Sequence, residues 1–257
     1  MAENKEKQAP KFPSEMIDLP SGGKIYGKDS PLYDGKIEIK YMTAKEEDIL
    51  TSQNLIKKGL VLDKLLESLI ITPSVSPDDL LTGDKNAIMI ASRILAYGPE
   101  YTCEVTNPST GENIQHTFNL ADCPFKELPK DVDYSINEFS VELPVSKNNI
   151  TFKLLTGKDE HIIDRELKSR KKLGGVAPEL TTRLKYIITS LNGDDNKSEI
   201  NSFVDNLLLS KDSLFLRTEV ARISPDIDMK QEIDIEGDLV EVDIPMTVSF
   251  LWPSAKS

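Results

Sequence analysis

The sequence predicts an α+β protein made of two related modules, each a strand, capped helices and a terminal β-hairpin. Three observations predict it. Residues Lys40 to Leu50 return as Lys153 to Ile163, with the Lys, Thr, Lys, Glu and Ile positions identical, and a repeat this far apart marks a duplicated unit. Each copy passes from a strand-like stretch into a helix-start signature. Each half then runs through helical stretches to a proline, Pro99 or Pro225, followed by two strand-like stretches around a turn. Hairpins at the ends of helical clusters fit α+β better than an alternating parallel sheet.

The expected organisation is a polar, disordered tail over residues 1–13, a first module over 14–123, a connecting segment with one strand over 124–149, and a second module over 150–257. In the first module, residues 36–41 alternate charged and apolar side chains, the period of a half-buried strand. Thr43 with Glu46 then forms a capping box that opens a helix. Leu62, Leu65, Leu66 and Leu69 share one face of a helix over 60–71. Pro77, after Ser76, suits the first position of a short helical turn. Asp84 is expected to cap a helix over about 85–97, which Gly98 and Pro99 stop. Strands over 101–106 and 113–119 flank a turn carrying Asn107, Pro108 and Gly111.

The connecting segment contains an alternating run, Ile136 to Leu143, expected to pair with a strand at 150–155. Thr156 with Asp159 repeats the capping pair, with a shorter acid. That helix runs to about 172, where Gly174 and Gly175 break the chain. Pro178 starts a helix carrying Leu180, Leu184, Ile187, Ile188 and Leu191. Ser198 is expected to cap the next helix, with Phe203, Leu207 and Leu208 on its apolar side, and Ser210 the last, with Leu214, Phe215, Val220 and Ile223. Strands near 227–235 and 239–250 close the chain.

Composition narrows the function classes. The net charge of −12 disfavours a nucleic-acid partner, because phosphate binding needs clustered Lys and Arg. The one basic cluster, Lys168, Arg170, Lys171 and Lys172, falls at a helix end, where cations suit the dipole. The apolar runs are too short to span a bilayer, so no membrane partner is expected. The N-terminus lacks the apolar core of a signal peptide. Cys103 and Cys123 make no disulfide framework, and a cytoplasmic compartment is the default.

No glycine-rich phosphate loop and no nucleophile elbow is present. Glu46 and Glu47 with Asp159 and Glu160, beside Lys45 and Lys158, tempt a reading as paired catalytic carboxylates, but capping by Thr43 with Glu46 and Thr156 with Asp159, together with the helix dipole, explains the same residues with less. His116 and His161 fall in different halves. Cys103, His116 and Cys123 have no usual zinc spacing. No cofactor, no metal and no catalytic residue is therefore expected. Phe250 and Trp252, at the C-terminal end, serve either the core or a partner, since such aromatics dominate binding hot spots.

Pro20 to Tyr26, the Ile37–Ile39 strand, Met42 to Glu47 and the ending Ile244 to Pro253 together resemble the baseplate hub and hub assembly proteins of T-even-type contractile-tailed phages. In that family the hairpin tip often carries a C-P-x-C-G zinc knuckle. Here Asn107 and Thr110 stand at the thiol positions while Pro108 and Gly111 remain, so the resemblance implies a degenerate zinc-ribbon-like hairpin that kept the turn and gives no basis for zinc. The resemblance implies a non-enzymatic protein of tail morphogenesis, either a hub subunit or an assembly chaperone. It would bind other baseplate hub or tail proteins in the host cytoplasm, or also within the virion. Asn107, Gly111, Phe250 and Trp252 are then the candidate partner contacts. The alternatives are an enzyme with a site between the modules, or a cellular adaptor.

Overall fold

Hydrophobic alternation at Ile37 and Ile39 does build a strand with both isoleucines fully buried. A computed structural model of the chain describes residues 13–107, 110–172, 177–235, 237–246 and 248–251. In it β1 (Ser14–Asp18) pairs antiparallel with β2 (Lys36–Lys40). Helices α1 (Ala44–Thr51), α2 (Gln53–Lys58) and α3 (Val61–Leu69) follow. Ser76 caps a short 3-10 turn at Pro77–Asp79, and α4 (Thr82–Tyr97) leads into the hairpin of β3 (Glu100–Thr106) and β4 (Asn113–Asn119).

The second half opens with β5 (Phe139–Glu142) and β6 (Asn149–Phe152). Then come α5 (Gly157–Lys172), α6 (Glu179–Ile187) and β7 (Ile188–Leu191), which joins β6 to give a three-stranded sheet in the order β5-β6-β7. Next are α7 (Lys197–Asn206), α8 (Ser210–Ile223), the hairpin of β8 (Lys230–Ile235) and β9 (Asp238–Asp243), and the short helix α9 (Val248–Leu251). The mixture of helices with small antiparallel sheets is α+β, as the sequence predicts.

Several local expectations need correction. The helix from Pro178 ends at Ile187 rather than Leu191. The run Ile187-Ile188-Thr189 is β-branched, which favours extended backbone, and β6 offers it an edge to pair with. Leu62, Leu180, Leu207 and Leu214 are exposed rather than inward. Asn196, not Ser198, caps α7 through its side-chain oxygen, and Leu209, not Ser210, holds the cap position of α8. The strand expected over 136–143 begins only at Phe139, leaving Ile136 exposed, and the last strand stops at Asp243. Asp84 lies inside α4 and does not cap it. Gly174 and Gly175 lie outside the described residues.

Apolar side chains gather in two cores. One holds Leu65, Leu69, Ile88 and Phe118 of the first half, together with Ile233, Val242, Ile244 and Phe250 from the end of the chain. The other holds Phe152, Leu184, Ile200 and Leu216 of the second half, together with Ile25 and Leu81 from the first. The C-terminal hairpin therefore packs on the core of the first half.

The duplication is deeper than its best-preserved stretch. Leu19-Pro20 returns as Leu143-Pro144, Ile70-Ile71-Thr72 as Ile187-Ile188-Thr189, and Leu80-Leu81-Thr82-Gly83-Asp84 as Leu208-Leu209-Ser210-Lys211-Asp212. Each pair has matching places. The Leu19 amide donates to Gly35 O at 2.7 Å and the Leu143 amide to Asn148 O at 2.9 Å, each bond bracketing the loop of its first hairpin. The Ile-Ile-Thr runs both lie along the second strand: Ile70 bridges Ile39, and Ile188 pairs with Phe152. The counterpart of β1 is thus β5, within the segment expected to connect the modules.

Candidate functional site

Thr43 caps α1 because its hydroxyl can accept an orphan amide of the first turn, here that of Lys45 at 3.3 Å. Glu46 completes the box. One carboxylate oxygen accepts the Thr43 amide at 2.8 Å and its hydroxyl at 2.7 Å. The other accepts Lys40 Nζ at 2.7 Å and Ser68 Oγ at 2.5 Å. Glu46 is 0 % exposed. Burial opposes its ionisation, but the hydrogen bonds from Lys40, Ser68 and Thr43 outweigh this and hold the carboxyl at about 2.

The second copy repeats the arrangement. Asp159 accepts Lys153 Nζ at 2.7 Å on one oxygen, and the Thr156 amide and hydroxyl, both at 3.1 Å, on the other. Burial again opposes ionisation, and the bonds from Lys153 and Thr156 again lower the carboxyl below its ordinary range. Both acids are committed to helix starts and to the preceding strand. The structure does not bring the two copies into one site: each serves its own half.

A second matched pair escaped the sequence reading. Asp84 and Asp212 occupy the third positions of α4 and α8, and both are fully buried. Asp84 accepts the Ser21 amide at 3.0 Å and the Tyr26 hydroxyl. Asp212 accepts the amides of Val145 at 2.8 Å and Ser146 at 3.0 Å. Each acid thus ties the loop after a Leu-Pro pair to the last long helix of its half. Their electrostatics differ. Burial raises the Asp84 carboxyl despite its hydrogen bonds. At Asp212 burial is outweighed by the Val145 and Ser146 amides, which lower it. The signal was Leu-Leu-[Thr/Ser]-x-Asp, present twice.

The halves interlock at two glycines. A Cβ on Gly83 would lie 1.8 Å from Pro225 O, and one on Gly157 would lie 2.3 Å from Pro77 O. So α4 starts against backbone of the second half and α5 against backbone of the first. Nearby, His161 Nε2 lies 3.1 Å from Asp78 Oδ1 and 3.5 Å from Asp63 Oδ2. His116 stands on β4 opposite Cys103. Cys123 Sγ accepts Gln231 Nε2 at 3.3 Å. Among the described residues no three or more His, Cys, Asp or Glu side chains are grouped to hold a metal ion.

Of the candidate partner contacts, Asn107 and Gly111 close the β3–β4 tip. The Asn107 amide donates to Glu112 O and the Gly111 amide to Asn107 O, each at 2.8 Å. Gly111 has a φ of 77°, a conformation that favours glycine. Pro108 and Ser109 lie outside the described residues. Phe250 is 1 % exposed and meets Tyr101 edge-on at 5.0 Å between ring centroids, so its ring is spent on the core. Trp252 lies outside the described residues.

Of the repeat's acids, Glu46 and Asp159 are buried anchors, whereas Glu47 and Glu160 are half-buried and accept from Tyr97 and Arg183; the fold is a duplicated α+β scaffold. The family model described as T4 bacteriophage base plate protein matches residues 12–209, more than half of the chain, and the chain belongs to that family. Neither a curated protein nor a solved structure matches it. No described helix is long and apolar enough to cross a membrane.

Proposed function

We propose that this baseplate-family protein is a non-enzymatic hub subunit or hub assembly chaperone that works by binding other tail proteins. Family membership carries the reading. The buried state of Glu46 and Asp159 supports the non-enzymatic part, because acids saturated by their own helix starts are withdrawn from chemistry. The scaffold is best regarded as two modules, the first starting at β1 and the second at β5. The hairpin tip at Asn107 and Gly111 and the residue Trp252 are the proposed contacts. Binding would take place in the host cytoplasm during assembly.

Coexpression with individual baseplate and tail proteins tests this. One hub component is expected to copurify through affinity capture and gel filtration, and failure with every hub protein would sink the proposal. Mass spectrometry of purified particles separates the two versions: a subunit is retained, whereas a chaperone is absent.

A further inference from the structure

Two exposed surfaces of opposite chemistry face solvent. The first is basic. Lys57 and Lys58 end α2, and Arg165, Lys168, Lys171 and Lys172 occupy the last two turns of α5; all six are exposed. The helices meet where Lys168 Nζ reaches Lys58 O at 3.4 Å. A cleft of about 440 Å³ lies there, lined by Leu60, Arg165, Lys168 and Lys172, with Asp164 as the carboxylate among them. Gly59 lines this cleft and also a second one of about 390 Å³, whose apolar wall is Ile56, Leu62 and Met89 and whose polar side carries Asp63, Lys85 and Glu160; Asp63 is paired with Lys85, and Glu160 with Arg183. Ile56 and Leu62 are 38 % and 45 % exposed. An apolar slot thus adjoins a cluster of cations in a chain of net charge −12.

The second surface is acidic. The outward face of the β8–β9 hairpin carries Glu232, Asp234, Glu241 and Asp243, all exposed. Glu232 stands directly opposite Glu241 in the ladder, and like charges so placed destabilise a hairpin. Lys230, 3.0 Å from Glu241, offsets part of this. Leu239 stands opposite Asp234 and is 73 % exposed. A leucine held out among carboxylates complements an apolar slot beside lysines.

We propose that the β8–β9 hairpin of one copy docks into the α2–α5 groove of a second copy. Leu239 enters the apolar slot, and the hairpin carboxylates face Lys57, Lys58, Lys168 and Lys172. The two surfaces differ, so the contact is head-to-tail: each pairing leaves one hairpin and one groove free, and the assembly grows until it closes. The proposal stands apart from the reading of the hub partner, since it concerns this chain alone.

Sedimentation of the full chain over a range of concentrations, at low and high salt, tests it. Concentration-dependent association is expected, weakened by salt because charged groups face one another. Leu239→Ser disables the hairpin, and Lys168→Glu with Lys172→Glu disables the groove. All three positions are exposed, and unchanged thermal melts will verify folding. Each variant alone is expected to stay monomeric where the wild type associates. Mixed in equal amounts they should form a dimer and stop, because one supplies an intact hairpin and the other an intact groove. A wild-type chain that remains monomeric throughout, variants that associate like the wild type, or a mixture that stays monomeric would each overturn the proposal.

Discussion

Capping requires Thr43 and Glu46 but not a lysine three residues before the threonine, yet Lys40 and Lys153 are identical in the two copies. The structure supplies the reason: each lysine neutralises the carboxylate that its own capping box has buried. The pairs differ in exposure. Lys40 and Glu46 are nearly sealed, whereas Lys153 is 30 % exposed. Removing one partner of a buried pair leaves an uncompensated charge, which costs about 3–5 kcal/mol, while water can replace a partner at the surface. Lys40→Met is therefore expected to destabilise the protein by about 3 kcal/mol or more, and Lys153→Met by about 1 kcal/mol, read from urea unfolding midpoints. The same chemistry fixes the acid response. The Glu46 carboxyl is depressed to about 2 in the folded state, so its contribution is complete above the unfolded carboxyl range and is lost as pH falls from about 4.5 toward 2. That contribution is on the order of 3 kcal/mol. Glu46→Gln should flatten the stability–pH curve in that window; a variant curve parallel to the wild type would show that other acids dominate.

Among elements, the clearest consequence belongs to the helix starts of α4 and α5. Alanine is a better helix former than glycine by about 1 kcal/mol, so helix propensity alone predicts that Gly83→Ala and Gly157→Ala stabilise. Packing predicts the opposite, because each added methyl would overlap a backbone carbonyl of the other half, of Pro225 or of Pro77. Backbone cannot yield as a side-chain end can, and overpacking costs about 1–3 kcal/mol or more. Both variants should lower the melting temperature, Gly83→Ala more, in proportion to the closer approach. Such contacts were not legible in the sequence, where Gly83 and Gly157 are ordinary helix-start residues. Other elements were legible because their signals are local: the helix start at Thr43 and Glu46, the strand around Ile37 and Ile39, and the turn at Gly111. Two of the failures have a common cause. Ile188 became a strand because β6 left an edge for it, and Asp84 became an anchor because Tyr26 and Ser21 fold back onto it. Both outcomes depend on partners far away in the chain. The wider repeat was present in the residues but hidden, since insertions of different length separate its motifs in the two halves.

At the scale of the whole molecule, the decisive fact is where the β8–β9 hairpin and the segment after it pack. A duplicated protein in which each half kept its own hairpin would be two independent bodies. Here Ile233, Val242, Ile244 and Phe250 complete the core built by α3, α4 and β3–β4, and the Tyr101 hydroxyl donates to Pro245 O at 3.1 Å. In return Ile25 and Leu81 complete the core of the second half. Each core therefore needs residues from both halves, and the chain is expected to unfold in one transition rather than two. Phe250→Ala tests the direction of this exchange. Truncating a fully buried phenylalanine costs about 3–5 kcal/mol, and the loss should be felt first where the ring packs. Hydrogen exchange on the variant should lose protection in α4 and β3, early in the sequence, before α7, which lies closer along the chain but in the other core. Loss confined to α7 and α8 would mean that the terminal segment belongs energetically to the half that precedes it.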